Sequence, residues 1–269
     1  MIFHLWSNMK KQLLAFAAIV ATALPASATV AIPGAPADPV PDTFGAIPAA
    51  TFGGSGIPNT AMAISTSVDG ANTITLGIAA TPRFSGTTVT NDGMGSYTVG
   101  AGEGDPGLSL WNFSFYTNIA GGGSLANYQF DLRYDLDAAA GNSLGTLGSI
   151  DLNASVFGAA ELASPGSGPA ALAGTDTVES SQNLGFTFLT TGVPGSVVAP
   201  TPTVTFDPND FGAYSFQIAV SDVASGTLID TVSIAVSAVP EPTAATFGAL
   251  LTTGLVTVAV RRKRSKLAA

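Results

Sequence analysis

Tyr128-Gln129-Phe130-Asp131-Leu132-Arg133-Tyr134-Asp135-Leu136 alternates without a break, with five apolar side chains on one parity and four polar ones on the other. A strand turns successive side chains to opposite faces, so this stretch reads as a half-buried antiparallel β-strand, packed on one side and wet on the other. The same period recurs on both sides of it. Upstream, Trp111, Phe113, Phe115 and Thr117 share one face against Asn112, Ser114, Tyr116 and Asn118. Downstream, Tyr214, Phe216, Ile218 and Val220 alternate with Ser215, Gln217, Ala219 and Ser221, and Val232, Ile234 and Val236 with Thr231, Ser233 and Ala235. Gly121-Gly122-Gly123 predicts a hairpin between the first two strands, and Asp222 to Gly226 a turn between the last two.

Further strand candidates lie at 62–68, 72–79, 87–90, 96–99, 150–157, 184–190 and 202–206. No amphipathic helix is legible in the body, and Pro165-Gly166-Ser167-Gly168-Pro169 stops any helix begun near Ala159. Many short strands with Gly/Pro turns predict an all-β fold, an antiparallel β-sandwich of jelly-roll or immunoglobulin-like type over 61–238. Two smaller sandwiches divided near 165–175 are the alternative. Residues 29–60 carry Pro33, Pro36, Pro39, Pro41 and Pro48 and read as an extended, poorly ordered lead-in.

Both ends of the chain are apolar. Met9-Lys10-Lys11 opens a run from Leu13 to Leu24, followed by Pro25 and Ala26-Ser27-Ala28. A charged start, a short apolar stretch and small residues at Ala26 and Ala28 describe a signal peptide over 1–28, cleaved after Ala28. Met9 suits that signal better than Met1 as a start. At the other end Val239-Pro240-Glu241-Pro242 precedes an uncharged stretch, 243–260, and then Arg261-Arg262-Lys263-Arg264. As a helix that stretch reaches roughly 27 Å, about the thickness of a bilayer core. Its basic flank belongs on the cytoplasmic side. Both ends therefore turn their positive residues to the cytoplasm, and 29–238 is expected beyond the inner membrane.

The tail over 239–269 resembles the PEP-CTERM sorting signal of Gram-negative bacteria, with Pro240, Glu241 and Pro242 as the tripeptide. The resemblance implies an exosortase partner in the membrane that recognises tripeptide and span and removes the tail. It also implies export to the cell surface or extracellular matrix, often alongside extracellular polysaccharide. The Arg261, Arg262, Lys263 and Arg264 cluster holds the precursor in the membrane until then. Trp111-Asn112-Phe113, Ser181-Gln182-Asn183-Leu184-Gly185-Phe186, and Phe206-Asp207-Pro208 with Gly212-Ala213-Tyr214-Ser215-Phe216 resemble segments of proteins that carry this tail. That second likeness implies no defined activity.

Composition narrows the chemistry. Between signal and tail lie two basic residues, Arg83 and Arg133, against seventeen acids, a net charge of −15. Such a surface repels nucleic acid and anionic lipid. There is no cysteine, so the exported body is held by its own core without disulfides. There is also no lysine there to guard edge strands, a task left to Asp, Gly and Pro. The single histidine, His4, precedes Met9. A His-based serine triad, a cysteine nucleophile, a Schiff-base lysine and the usual zinc ligands are thereby excluded from the body.

Carboxylates remain. A glycan hydrolase needs two, and Glu103, Asp105, Glu161 and Glu179 are candidates that solvated loop acids would equally explain. Calcium takes several hard oxygens, and Asp131, Asp135 and Asp137, or Asp207 and Asp210, supply them. Against calcium, Arg133 lies two residues from both Asp131 and Asp135, and Asp207-Pro208-Asn209-Asp210 is a natural turn. Sugar binding favours exposed aromatics, but Trp111 falls on the core parity and Tyr116 alone makes a poor platform. The expectation is a non-enzymatic exported protein without a cofactor. A calcium-dependent adhesion or carbohydrate-binding module, and a secreted glycan hydrolase, are the alternatives.

Overall fold

The computed structural model describes residues 41–52, 54, 56–83, 87–138, 147–153 and 176–240. The expected signal peptide, the span 243–260 and its basic flank lie outside the described residues. Among the described residues no helix is long and apolar enough to cross a membrane. In chain order the strands are β1 (Thr43–Gly45), β2 (Met62–Asp69), β3 (Asn72–Pro82), β4 (Val89–Asn91), β5 (Ser96–Ala101), β6 (Glu103–Asp105) and β7 (Leu108–Ser109). There follow β8 (Trp111–Ala120), β9 (Tyr128–Tyr134), β10 (Gly148–Asp151), β11 (Thr177–Gln182), β12 (Val197–Val198), β13 (Gly212–Asp222) and β14 (Leu228–Pro240), with one short helix, α1 (Thr187–Thr191).

The protein is mostly β with two main sheets, consistent with a β-sandwich. One has five strands in the order β1-β2-β3-β8-β11, the other seven in the order β12-β10-β9-β13-β14-β5-β4. Each draws strands from both sides of 165–175. The period-two stretches form the inner faces as their parity requires. Tyr128, Phe130, Leu132 and Tyr134 of β9 are buried, as are Tyr214, Phe216, Ile218 and Val220 of β13. Phe216 sits in register with Tyr134 on one side and Ile234 on the other. From the opposite sheet Phe113 stacks on Phe216 at 5.0 Å, and Trp111 meets the same ring edge-on at 6.1 Å. Such pairs add about 0.5–1.5 kcal/mol each beyond the area they bury. Trp111 is therefore core, as its parity predicts.

Several expectations need correction. β8 and β9 do not form a hairpin, because they belong to different sheets. The glycines between them make a crossover instead. Gly121 has φ 117°, and a Cβ there would lie 2.2 Å from the carbonyl oxygen of Ala71, so only glycine lets the chain pass over the β2–β3 turn. Asn153 fixes the far side of this crossover: its Nδ2 donates to Leu125 and Tyr128 carbonyls, and its Oδ1 accepts from Phe130 N–H. The β13–β14 turn does form where expected, with Asp222 accepting from both the N–H and the hydroxyl of Ser225 at 2.7 Å.

The sheets are not wholly antiparallel. β14 pairs parallel with β5, Ala235 to Pro240 running alongside Ser96 to Ala101. The long chain between these strands permits both to run in the same direction. Residues 184–190 are not a strand; they hold α1, which Gly192 ends at φ 76° with its N–H on Phe188. A short apolar run satisfies helix and strand alike. The segment 202–206 lies in no strand.

The lead-in differs most. From Thr43 it pairs with β2, and Ile47, Ala50 and Phe52 are buried. They cover the outward face of the five-stranded sheet, where Gly77, Met62 and Tyr116 converge with Ile47. Tyr116 does point away from the sheet interface, but this cover leaves it only 5% exposed. Low periodicity in the sequence reflects a segment that, beyond the short β1, packs as irregular loop pinned by side chains.

Three of the four edges of the main sheets are guarded by brevity; the fourth, β11, is six residues long. β1, β4 and β12 are two or three residues long, which leaves few unpaired groups for another strand.

Candidate functional site

One end of the seven-stranded sheet gathers most of those residues singled out by the sequence that are among the described ones. β14 runs there to Pro240, exposed and opposite Ala101; Pro240 is the last described residue and the first of the Pro240-Glu241-Pro242 tripeptide. Glu241, Pro242, Arg261, Arg262, Lys263, Arg264, Ala26 and Ala28 lie outside the described residues. β13 begins at the same end, with Gly212 opposite Ala238, and β9 finishes there, since Tyr134 pairs with Phe216.

Three loops meet around this end. Gly102 N–H donates to Pro208 at 2.8 Å, Ala213 N–H to Ala138 at 3.1 Å and Asp135 N–H to Ser215 at 3.1 Å. They bring together acids that are far apart in sequence: Glu103 and Asp105, Asp135 and Asp137, Asp207 and Asp210. The Tyr214 phenol registers their field. Its pKa is pushed well up, first by burial and then by Asp210, Asp135, Asp137 and Asp207. Arg83 pairs with Asp105 at 3.1 Å.

Three of these six acids serve the backbone. Asp207 Oδ1 accepts from Asn209 N–H at 2.9 Å, the turn that its sequence favours. Asp135, 3% exposed, accepts from Asp137 N–H at 2.9 Å. Glu103 accepts from Gly107 N–H across the β6–β7 hairpin. Glu179 is buried and accepts from Thr51 and Phe52. Glu161 lies outside the described residues. Among the described residues no three acids or other metal-binding side chains stand close enough to hold an ion.

Asp131 belongs elsewhere. It lies mid-strand on the outward face of the seven-stranded sheet, directly opposite Asp151 of β10. Burial raises its pKa, Asp151 raises it further, and Gln129 and Arg133 act against this. An acid with a raised folded pKa holds its proton more tightly folded than unfolded. Charging it therefore costs stability as pH rises through the window between the two values. Asp131→Asn is expected to raise Tm at pH 7 by about 1–3 °C, a modest gain because the site is part-exposed. That gain should vanish below about pH 3, where the acid is protonated in both states. Thermal melts across pH check it; a gain that persists at low pH rules out the charge explanation.

A groove of about 470 Å³ lies beside the end of β3 and the start of β4, lined by Pro58, Thr60, Ala80, Pro82, Val89 and Tyr97 among others. None of its described lining residues is a carboxylate, lysine, arginine or histidine. Tyr97 donates its hydroxyl to Ala61 at 2.5 Å, and burial pushes its pKa well up. The groove thus offers no acid–base pair.

Sequence reasoning missed the Asp131–Asp151 pairing and the structural parts of Asn183 and Glu179. Cross-strand register is the only signal for the first, and no local pattern encodes register. No protein-family model, curated protein or solved structure matches this chain.

Proposed function

We propose that this is an exported, non-enzymatic protein of the cell surface or extracellular matrix of a Gram-negative bacterium, with a jelly-roll or immunoglobulin-like body. Its tail is removed at Pro240-Glu241-Pro242 by an exosortase-type membrane enzyme. The observation that carries the reading is the tail itself: tripeptide, uncharged span and Arg/Lys cluster in that order, behind an N-terminal signal. Two features of the body support it. The described part of β14 is ordered strand up to the first residue of the tripeptide, and Glu179, Asp135 and Asp207 are engaged in turns and clamps. In the processing step one peptide bond of the tail breaks. Its acyl carbon passes to water or an acceptor nucleophile, and the amine leaves with the proton.

Intact mass of the protein from native cells is expected to lack residues 1–28 and the span from about 243 on. Glu241→Ala should leave essentially all of it as membrane-bound precursor. Mature protein still carrying Arg261 to Arg264 would overturn the reading.

A second reading, a calcium-dependent adhesion or carbohydrate-binding module, draws on the convergence of Asp135, Asp137, Asp207 and Asp210 around Tyr214. It requires a calcium-induced rise in Tm of the body that disappears in Asp135→Ala or Asp207→Ala. No rise in the unaltered body removes it.

A further inference from the structure

β14 comes last among the described strands, yet it is central in its sheet. It lies between β13 and β5, and β4 and β5 join β13, β9, β10 and β12 through it. Its antiparallel ladder with β13 runs from Leu228 to Ala238, and its parallel ladder with β5 from Ala235 to Pro240. Val232, Ile234 and Val236 are at most 3% exposed, so this strand supplies a row of the core. Ser65 of the other sheet donates its hydroxyl to Asp230 at 2.9 Å. The β4–β5 hairpin comes early in the chain. Even so, Ser96 to Ala101 meet their second partner strand only when Ala235 to Pro240 arrive.

We propose that β14 is a closing strand: the body stays unfolded, and so threadable through an export channel, until Leu228–Pro240 have been delivered. This rests on the reading of the protein as exported. The physical reason is what the lack of β14 leaves behind. A slot opens between β13 and β5, and the eleven residues of β13 become an edge with unpaired N–H and C=O groups. Phe216 and Ile218 lose Ile234 and Val232, their neighbours in register. A sheet closed by strands far apart in the chain gains little until both are present, while the cost of ordering the chain between them falls due at once. Place in the sheet is what makes the strand a device. Were it an edge such as β4 or β12, the other strands could close without it. As a central strand it makes closure of the seven-stranded sheet wait for the end of the body.

The test uses the full chain in native cells, extended behind Ala269 by a spacer and a translation-arrest sequence, with protease added to spheroplasts. A short spacer keeps β14 inside the ribosome and channel while the chain up to Thr227 is outside; a long spacer lets β14 out. The outer part of the short-spacer chain is expected to be digested about tenfold or more faster than the body of the long-spacer chain. About twenty Gly/Ser residues between Gly226 and Thr227 of the short-spacer chain move that part clear of the membrane and should not slow its digestion. Ile234→Asp in the long-spacer chain puts a charge at a position 1% exposed and sets the rate for an open body. Equal resistance with short and long spacers, resistance gained by the Gly/Ser insertion, or a long-spacer chain digested as fast as Ile234→Asp would each overturn the closing strand and leave the export reading intact. No digestion of any chain, Ile234→Asp included, would put the body in the cytoplasm and overturn both.

Discussion

Asn183→Ala is expected to destabilise the body by about 3–5 kcal/mol, a large part of the 5–15 kcal/mol typical of a domain. Asn183 is fully buried. Its Nδ2 donates to the carbonyls of Ser109 and Trp111, both at 3.0 Å, and to Asn112 Oδ1 at 2.8 Å. Its Oδ1 accepts from Ser109 N–H at 3.1 Å and Gly185 N–H at 3.0 Å. One amide thus replaces a missing stretch of ladder between the end of β11 and the start of β8. Alanine would leave buried donors and acceptors without partners, the costly side of hydrogen-bond energetics. The contact that follows shows how tight this place is. A Cβ on Gly185 would lie 1.9 Å from the carbonyl oxygen of Gly107, so the β6–β7 hairpin rests directly on the Asn183 turn. Urea unfolding of the purified body, followed by Trp111 fluorescence, reads the effect as a lower midpoint at unchanged slope. A loss below about 1 kcal/mol would show that water replaces the amide at little cost.

Glu179→Ala is expected to cost about 2–4 kcal/mol, with the damage confined first to the lead-in. The Glu179 carboxylate lies on the outward face of the five-stranded sheet and accepts from the N–H groups of Thr51 at 2.7 Å and Phe52 at 2.9 Å, and from the Thr51 hydroxyl. It fastens the segment that places Ile47, Ala50 and Phe52 over Gly77 and Tyr116. Phe52 is held at φ 53°, a left-handed conformation that a bulky residue adopts only under constraint. Without the carboxylate that constraint goes, and the buried Phe52 N–H and the part-buried Thr51 N–H lose their acceptor. Amide hydrogen exchange should accelerate over 43–52 well before it does over β8 or β13. Glu179→Gln keeps one acceptor oxygen and should retain about half the stability. Uniform loss of protection across both sheets in Glu179→Ala would refute a local clamp.

These two residues also mark the limit of what was legible. The alternation in β8, β9, β13 and β14 announced the strands, their buried faces and the core position of Trp111. It did not announce that Gly121 to Gly123 carry the chain to the other sheet, because a hairpin and a crossover use the same residues. Asn183 and Glu179 carry no local signature. Each is a polar residue at a strand end or on a strand, and apart from Gly185 beside Asn183 the partners lie more than seventy positions away. The lead-in was misjudged for the same reason. Its order comes from Glu179 and from Asn59, which donates to the carbonyls of Ile47 and Ala50.

By itself the order of residues determined whatever depends on near neighbours in the chain: a period of two, the turn at Asp222, an apolar stretch of bilayer length with its charge on one side, and the lack of histidine, cysteine and lysine in the body. Those are properties of a few consecutive side chains meeting water or lipid. Only the tertiary structure decided which strand lies beside which: β14 against β5, Asp131 opposite Asp151, four distant aspartates around Tyr214. Register and sheet membership come from packing energies summed over two whole faces, and no short window of sequence contains that sum.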